Sequence, residues 1–161
     1  MLVTRYLSEH SLRGDRAQQL LRFLLEHGAD EFSITVMSLL DTPAPFADAF
    51  EDELAPYERP VAARRVVTTV ETVDVKRPVR LWTFSEASLA RLLSFVDTGL
   101  LHWPAGPDGW LEDLAIYRHG DLVLGLLSHE REGVLRLTPQ EHVDVAALDI
   151  PSEPTSTWLD D

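Results

Sequence analysis

The chain has 161 residues, no cysteine, and 27 acids against 14 bases, for a formal net charge of −13. The missing cysteines exclude a disulfide framework, a thiol nucleophile and a cysteine-ligated zinc site. The acidic excess argues against nucleic acid as a partner, because that affinity rests on basic groups neutralising phosphates, and it works against anionic membranes too.

A chain this long, 45% hydrophobic and 25% charged, suits one globular domain that buries roughly 70% of its unfolded surface. No apolar run approaches the roughly 18–20 residues of a membrane span. The opening Met1-Leu2-Val3-Thr4-Arg5 lacks the layout of a secretory signal, so the cytoplasm is the expected compartment. Arginine outnumbers lysine thirteen to one, a bias that points to a GC-rich, bacterial genome. The organisation expected is one α+β domain over residues 1–150 and an acidic tail over 151–161.

The first element is a helix over Ser11–His27. Ala17, Leu20, Leu21 and Leu24 recur at helical spacing, and Gly28 supplies the stop. Gly14 weakens the first turn, which makes Asp15 the expected N-cap. Phe32–Leu40 then reads as a strand with Phe32, Ile34 and Val36 on one face. Residues 41–60 read as a loop, since Pro43, Pro45, Pro56 and Pro60 punctuate it, with a short helical turn anchored by Phe46, Phe50 and Leu54. Asp41–Glu58 also holds six acids and no base, whereas Arg59–Arg80 holds six bases against Glu71 and Asp74.

Val61–Phe84 is dense in β-formers and splits into two strands at Lys76-Arg77-Pro78. Ser85 caps a helix running to Asp97, with Leu89, Leu92, Leu93 and Val96 on its apolar stripe and Gly99 beyond its end. Leu100–Gly109 is a turn-rich loop displaying His102 and Trp103. Glu112–Arg118 and Asp121–Ser128 form a hairpin through His119-Gly120, where glycine at the second turn position suits type I′. Gly133–Leu137 adds a third strand. Thr138-Pro139-Gln140-Glu141 then forms a capping box ahead of a helix expected to turn Val143, Ala146 and Ala147 inward. Two to three helices packed on a mostly antiparallel sheet of about six strands make an α+β fold.

Reactive residues are present, but they assemble no catalytic pattern. In Ser128-His129-Glu130, adjacent side chains on a strand face opposite ways, so Ser128 and His129 cannot act as nucleophile and base. The residue four after His129 is Gly133, where a zincin helix needs a second histidine. Glu112, Asp113, Glu130 and Glu132 lie at sheet ends, and neighbouring carboxylates on a strand diverge rather than face each other as a glycosidase pair does. No calcium loop, P-loop or dinucleotide fingerprint occurs, so no catalytic residue, metal or cofactor is assigned.

The candidate binding residues are the acids Asp48, Glu51, Asp52 and Glu53, the loop aromatics Trp103 and Trp110, and the strand acids Glu112 and Asp113. Small, acidic, cysteine-free and poor in motifs, the chain is similar in type to cytoplasmic immunity proteins, which neutralise toxins. The leading expectation is a non-enzymatic module that binds another protein, a basic one. The alternatives are a small hydrolase or transferase with a dispersed site around His129, Glu112 and His102, and a structural subunit of a larger assembly.

Overall fold

The computed structural model describes residues 1–38, 45–60, 66–68, 76–96, 98–103, 105–106 and 109–154. Among the described residues nine strands run in chain order: β1 (Val3–Ser8), β2 (Glu31–Ser38), β3 (Val66–Thr68), β4 (Lys76–Pro78), β5 (Trp82–Thr83), β6 (Ala105–Gly106), β7 (Gly109–Arg118), β8 (Asp121–Leu127) and β9 (Glu132–Leu137). Four α-helices accompany them: α1 (Gly14–Glu26), α2 (Pro45–Leu54), α3 (Glu86–Leu93) and α4 (Pro139–Ala147). The main sheet is antiparallel in the order β1-β9-β8-β7-β2-β5, with β6 paired to the first residues of β7, and β3 and β4 form a separate ribbon. The α+β architecture is as expected, with one or two helices more.

The meander is where local chemistry dictates most. His119 and Gly120 both have positive φ, 52° and 89°, the type I′ geometry whose twist matches the flanking strands. Arg118 consequently pairs with Asp121, and β8 lies between β7 and β9. Leu122 to Leu126 of β8 are all buried because both faces of the sheet are covered there. Phe32, Ile34, Leu124, Leu126 and Leu135 point to the main core, into which all four helices feed buried residues. Leu81, Ala115, Tyr117 and Leu122 form a second, smaller cluster on the other face.

Several boundaries differ from the sequence reading. A 3-10 helix over Glu9–Leu12 precedes α1, so the expected start at Ser11 falls in that turn. The N-cap of α1 is Arg13, and Asp15 sits in the first helical turn; Gly14 takes φ 54°, which lets the chain swing from one helix into the other. At the far end Gly28 behaves as expected. Its N–H donates to the Leu25 carbonyl at 3.1 Å and the Ala29 N–H to the Leu24 carbonyl at 2.9 Å, a complete Schellman motif.

Residues 41–60, read as a loop with a short helical turn near Phe46 to Leu54, carry that turn as part of a longer helix. Pro45 begins a ten-residue helix, α2, continued by a 3-10 turn over Ala55–Tyr57. Proline is compatible with a first helical turn, and Phe50 and Leu54, one turn apart and fully buried, fix the helix to the core. The side chain of Phe46 lies outside the described residues. Lys76-Arg77-Pro78, expected as a break, is instead strand β4 paired with β3. In α4 the buried residues are His142 and Val145, while Val143, Ala146 and Ala147 face outward, the reverse of the expectation. The segment read as the acidic tail begins on the protein: Ile150 is fully buried, and Tyr6 and Glu153 exchange two backbone hydrogen bonds of 2.7 and 2.8 Å. Trp158 lies outside the described residues. No described helix is long and apolar enough to cross a membrane.

Candidate functional site

The acidic residues of α2 divide into two sets. Glu51 accepts a 2.5 Å hydrogen bond from Arg80, whose guanidinium also donates twice to Glu58 at 2.9 and 3.0 Å and lies 5.1 Å from the centre of the Trp82 ring. The hydrogen bonds to Glu58 raise the Arg80 pKa against the opposing effect of burial, with Glu51 adding to the rise. Glu53 lies 3.4 Å from Arg91 of α3. Asp48 and Asp52, one turn apart, are exposed and form no ion pair among the described residues. An open groove of about 430 Å³ runs beside Asp52, lined also by Ala49, Glu53, Pro56, Tyr57 and Arg91. The acids of α2 therefore divide into Glu51 and Glu53, which face arginines, and Asp48 and Asp52, which meet solvent.

The other candidates are dispersed. Trp110 is half-buried on β7, and its indole N–H donates to Glu112 two residues on at 2.8 Å, so the two share one face of the strand. Asp113 is diverted elsewhere. The β2–β7 register shifts between Ser33 and Thr35, and Asp113 takes φ 55° at the resulting bulge. Its backbone N–H donates to Ser128 Oγ at 2.9 Å, and its carboxylate accepts from the Ser128 backbone N–H at 2.8 Å. Ser128 thus closes the strand end onto the bulge. Trp103 packs half-buried against the main core.

One cluster was not anticipated. Glu9, in the 3-10 turn before α1, pairs with Arg13, lies 3.4 Å from His102 Nε2, and lies 3.7 Å from Arg131 in the β8–β9 turn. Glu9 and Arg13 lie four residues apart, but His102 and Arg131 arrive from distant segments, so no sequence spacing announced the whole cluster. The cluster brings His102 to the same corner as the turn containing His129. His102 directs Nε2 at Glu9 and has Nδ1 buried. His129 is exposed, with Nε2 3.5 Å from its neighbour Glu130. His142 is buried, its Nε2 2.9 Å from the Val3 carbonyl. Among the described residues no three histidine, aspartate or glutamate side chains gather as a metal site would require.

No protein-family model matches the chain, and neither does any curated protein or solved structure.

Proposed function

We propose that this chain is a non-enzymatic protein-binding module of the inhibitor or immunity type, whose partner is basic and is met by α2. The supporting observation is the outward pair Asp48 and Asp52 on a helix held in place by Arg80, Arg91 and the buried Phe50 and Leu54. Carboxylates on a pre-positioned helix lose little freedom on binding, and a net charge of −13 steers a cationic partner toward them. The groove beside α2 offers Tyr57 and Pro56 as apolar walls next to Asp52.

The test is a titration of the isotopically labelled protein with a hexa-arginine peptide, followed by NMR at low and near-physiological salt. Amide shifts should centre on Asp48–Tyr57. Affinity should fall steeply as salt screens exposed charges beyond about 8–10 Å. Asp48→Asn with Asp52→Asn should weaken binding roughly tenfold. Shifts centred elsewhere, or affinity indifferent to salt and to the double substitution, would refute the reading.

A further inference from the structure

The groove beside α2 already holds a cation of the chain's own. Ala49, Asp52, Glu53 and Pro56 line it at helical spacing from one side, and Arg91 enters it from α3. Arg91 Nη1 lies 3.4 Å from Glu53 Oε2, with the two side chains 58% and 52% exposed. Aromatic packing sets the seam between the helices, since Phe50 of α2 meets Phe95 just beyond α3 at 5.1 Å. Glu53 and Arg91 therefore stay within reach of each other. Arg80, on the inner side of α2, is held far more firmly. Its side chain is 34% exposed, donates to Glu51 at 2.5 Å and to Glu58 at 2.9 and 3.0 Å, and lies against Trp82. The Glu53–Arg91 pair stands in solvent instead. Such a pair contributes little, because water and salt screen it and two long side chains must be ordered to make it.

We propose that Arg91 is a built-in competitor for the partner's cation: a basic group arriving at Asp48 and Asp52 takes Glu53 from Arg91, which turns out into solvent. This inference rests on α2 being the surface for a basic partner and says how that surface is regulated. The exchange costs little, because one cation replaces another at the same carboxylate. Arg91 also keeps a favourable place once released, since it lies in the last turn of α3, where the helix dipole favours positive charge. While Arg91 remains, its charge opposes a lone cation entering the groove beside Asp52. A partner that presents several cations together gains Asp48 and Asp52 first and then displaces Arg91. The internal arginine thus acts as a repulsive element that discriminates against singly charged groups.

The experiment titrates the full labelled chain with hexa-arginine at low salt, in the parent, in Glu53→Gln, in Arg91→Gln and in the double variant. Arg91→Gln should tighten binding about threefold, within the range that one exposed ion pair can supply. Glu53→Gln should weaken binding about threefold more in the Arg91→Gln background than in the parent, where Arg91 already occupies that carboxylate. Arg22→Gln removes an arginine of α1 that is 54% exposed and also ion-paired, so it reports the effect of net charge alone. It should tighten binding by less than about twofold. All these side chains are exposed, so the variants should keep the melting temperature of the parent. The proposal is overturned if Glu53→Gln costs the same in both backgrounds, or if Arg91→Gln tightens binding no more than Arg22→Gln does. Amide shifts at Asp48–Tyr57 in that result would leave α2 as the binding surface and Arg91 a bystander. Shifts absent from α2 would overturn both readings.

Discussion

Glu141 shows how much one side chain can be asked to do. Its carboxylate accepts from the Thr138 backbone N–H at 2.8 Å, closing the capping box of α4, and from Arg118 at 2.5 Å, tying the helix to the end of β7. The Arg118 hydrogen bond, helped by Thr138 and opposed by burial, brings its pKa from 4.5 down to about 2. A carboxylate whose folded-state pKa is depressed stabilises fully above its unfolded value, and that contribution disappears as pH falls through the folded one. The stability of the protein should therefore decline between about pH 4.5 and pH 2. Glu141→Gln should lower stability at neutral pH by about 2 kcal/mol and flatten that acid limb, as read by denaturant titration at several pH values. An acid limb of unchanged slope in the variant would show that other carboxylates govern it. The box itself was legible from Thr138-Pro139-Gln140-Glu141, because capping is local chemistry at fixed offsets. The Arg118 partner, 23 positions away, was not, since a long-range ion pair has no sequence spacing of its own.

Among the elements, α2 and α4 show where pattern reading stops. In α2 the prolines were read as breakers, yet Pro45 opens the helix and Pro56 falls in the 3-10 turn after it. In α4 the nine residues offer two faces of similar hydrophobicity, His142 with Val145 and Val143 with Ala146 and Ala147. The Val3 carbonyl decides between them by giving His142 a polar partner inside. The hairpin of the meander, by contrast, was legible, because the two-residue turn at His119-Gly120 sets the strand pairing beside it, whereas the bulge at Asp113 was not. The two sets of acids on α2 should separate in a stability measurement. Asp48→Asn with Asp52→Asn should leave stability within about 0.5 kcal/mol of the parent, as ordinary surface changes do. Glu51→Gln should cost about 1 kcal/mol, because it removes a charge-assisted partner of the half-buried Arg80. Equal effects in the two variants would mean that the Arg80 cluster does not secure the helix.

For the molecule as a whole, the aromatic residues around Trp82 join parts distant in sequence. Phe50 of α2 meets Trp82 edge-on at 6.1 Å and Phe95 at 5.1 Å, while Phe32 of β2 stacks on Trp82 at 5.6 Å. Helix α2 is thus a full participant in the core. Phe50→Ala should cost about 3–5 kcal/mol in a denaturant titration, the usual cost of emptying a buried aromatic site. A loss under about 1 kcal/mol would show α2 to be an appendage. The candidate binding surfaces were only partly readable at this scale. The sequence marks which residues are acidic, but which of them an arginine neutralises depends on how Arg80 and Arg91 are delivered by the fold.

The pairing of β1 with β9 sets a schedule for the nascent chain. Val3 through Ser8 find their partners only in Glu132 through Leu137, and Tyr6 gains its outer partner only at Glu153. Of the described strands, β1 is therefore made before the others and enclosed last. At synthesis rates of about 5–20 residues per second, it waits on the order of ten seconds with both edges open. Over that interval Thr4 and Arg5 separate Val3 from Tyr6 and Leu7, and a hydrophilic interruption of this kind disfavours pairing of a waiting strand with a neighbouring chain.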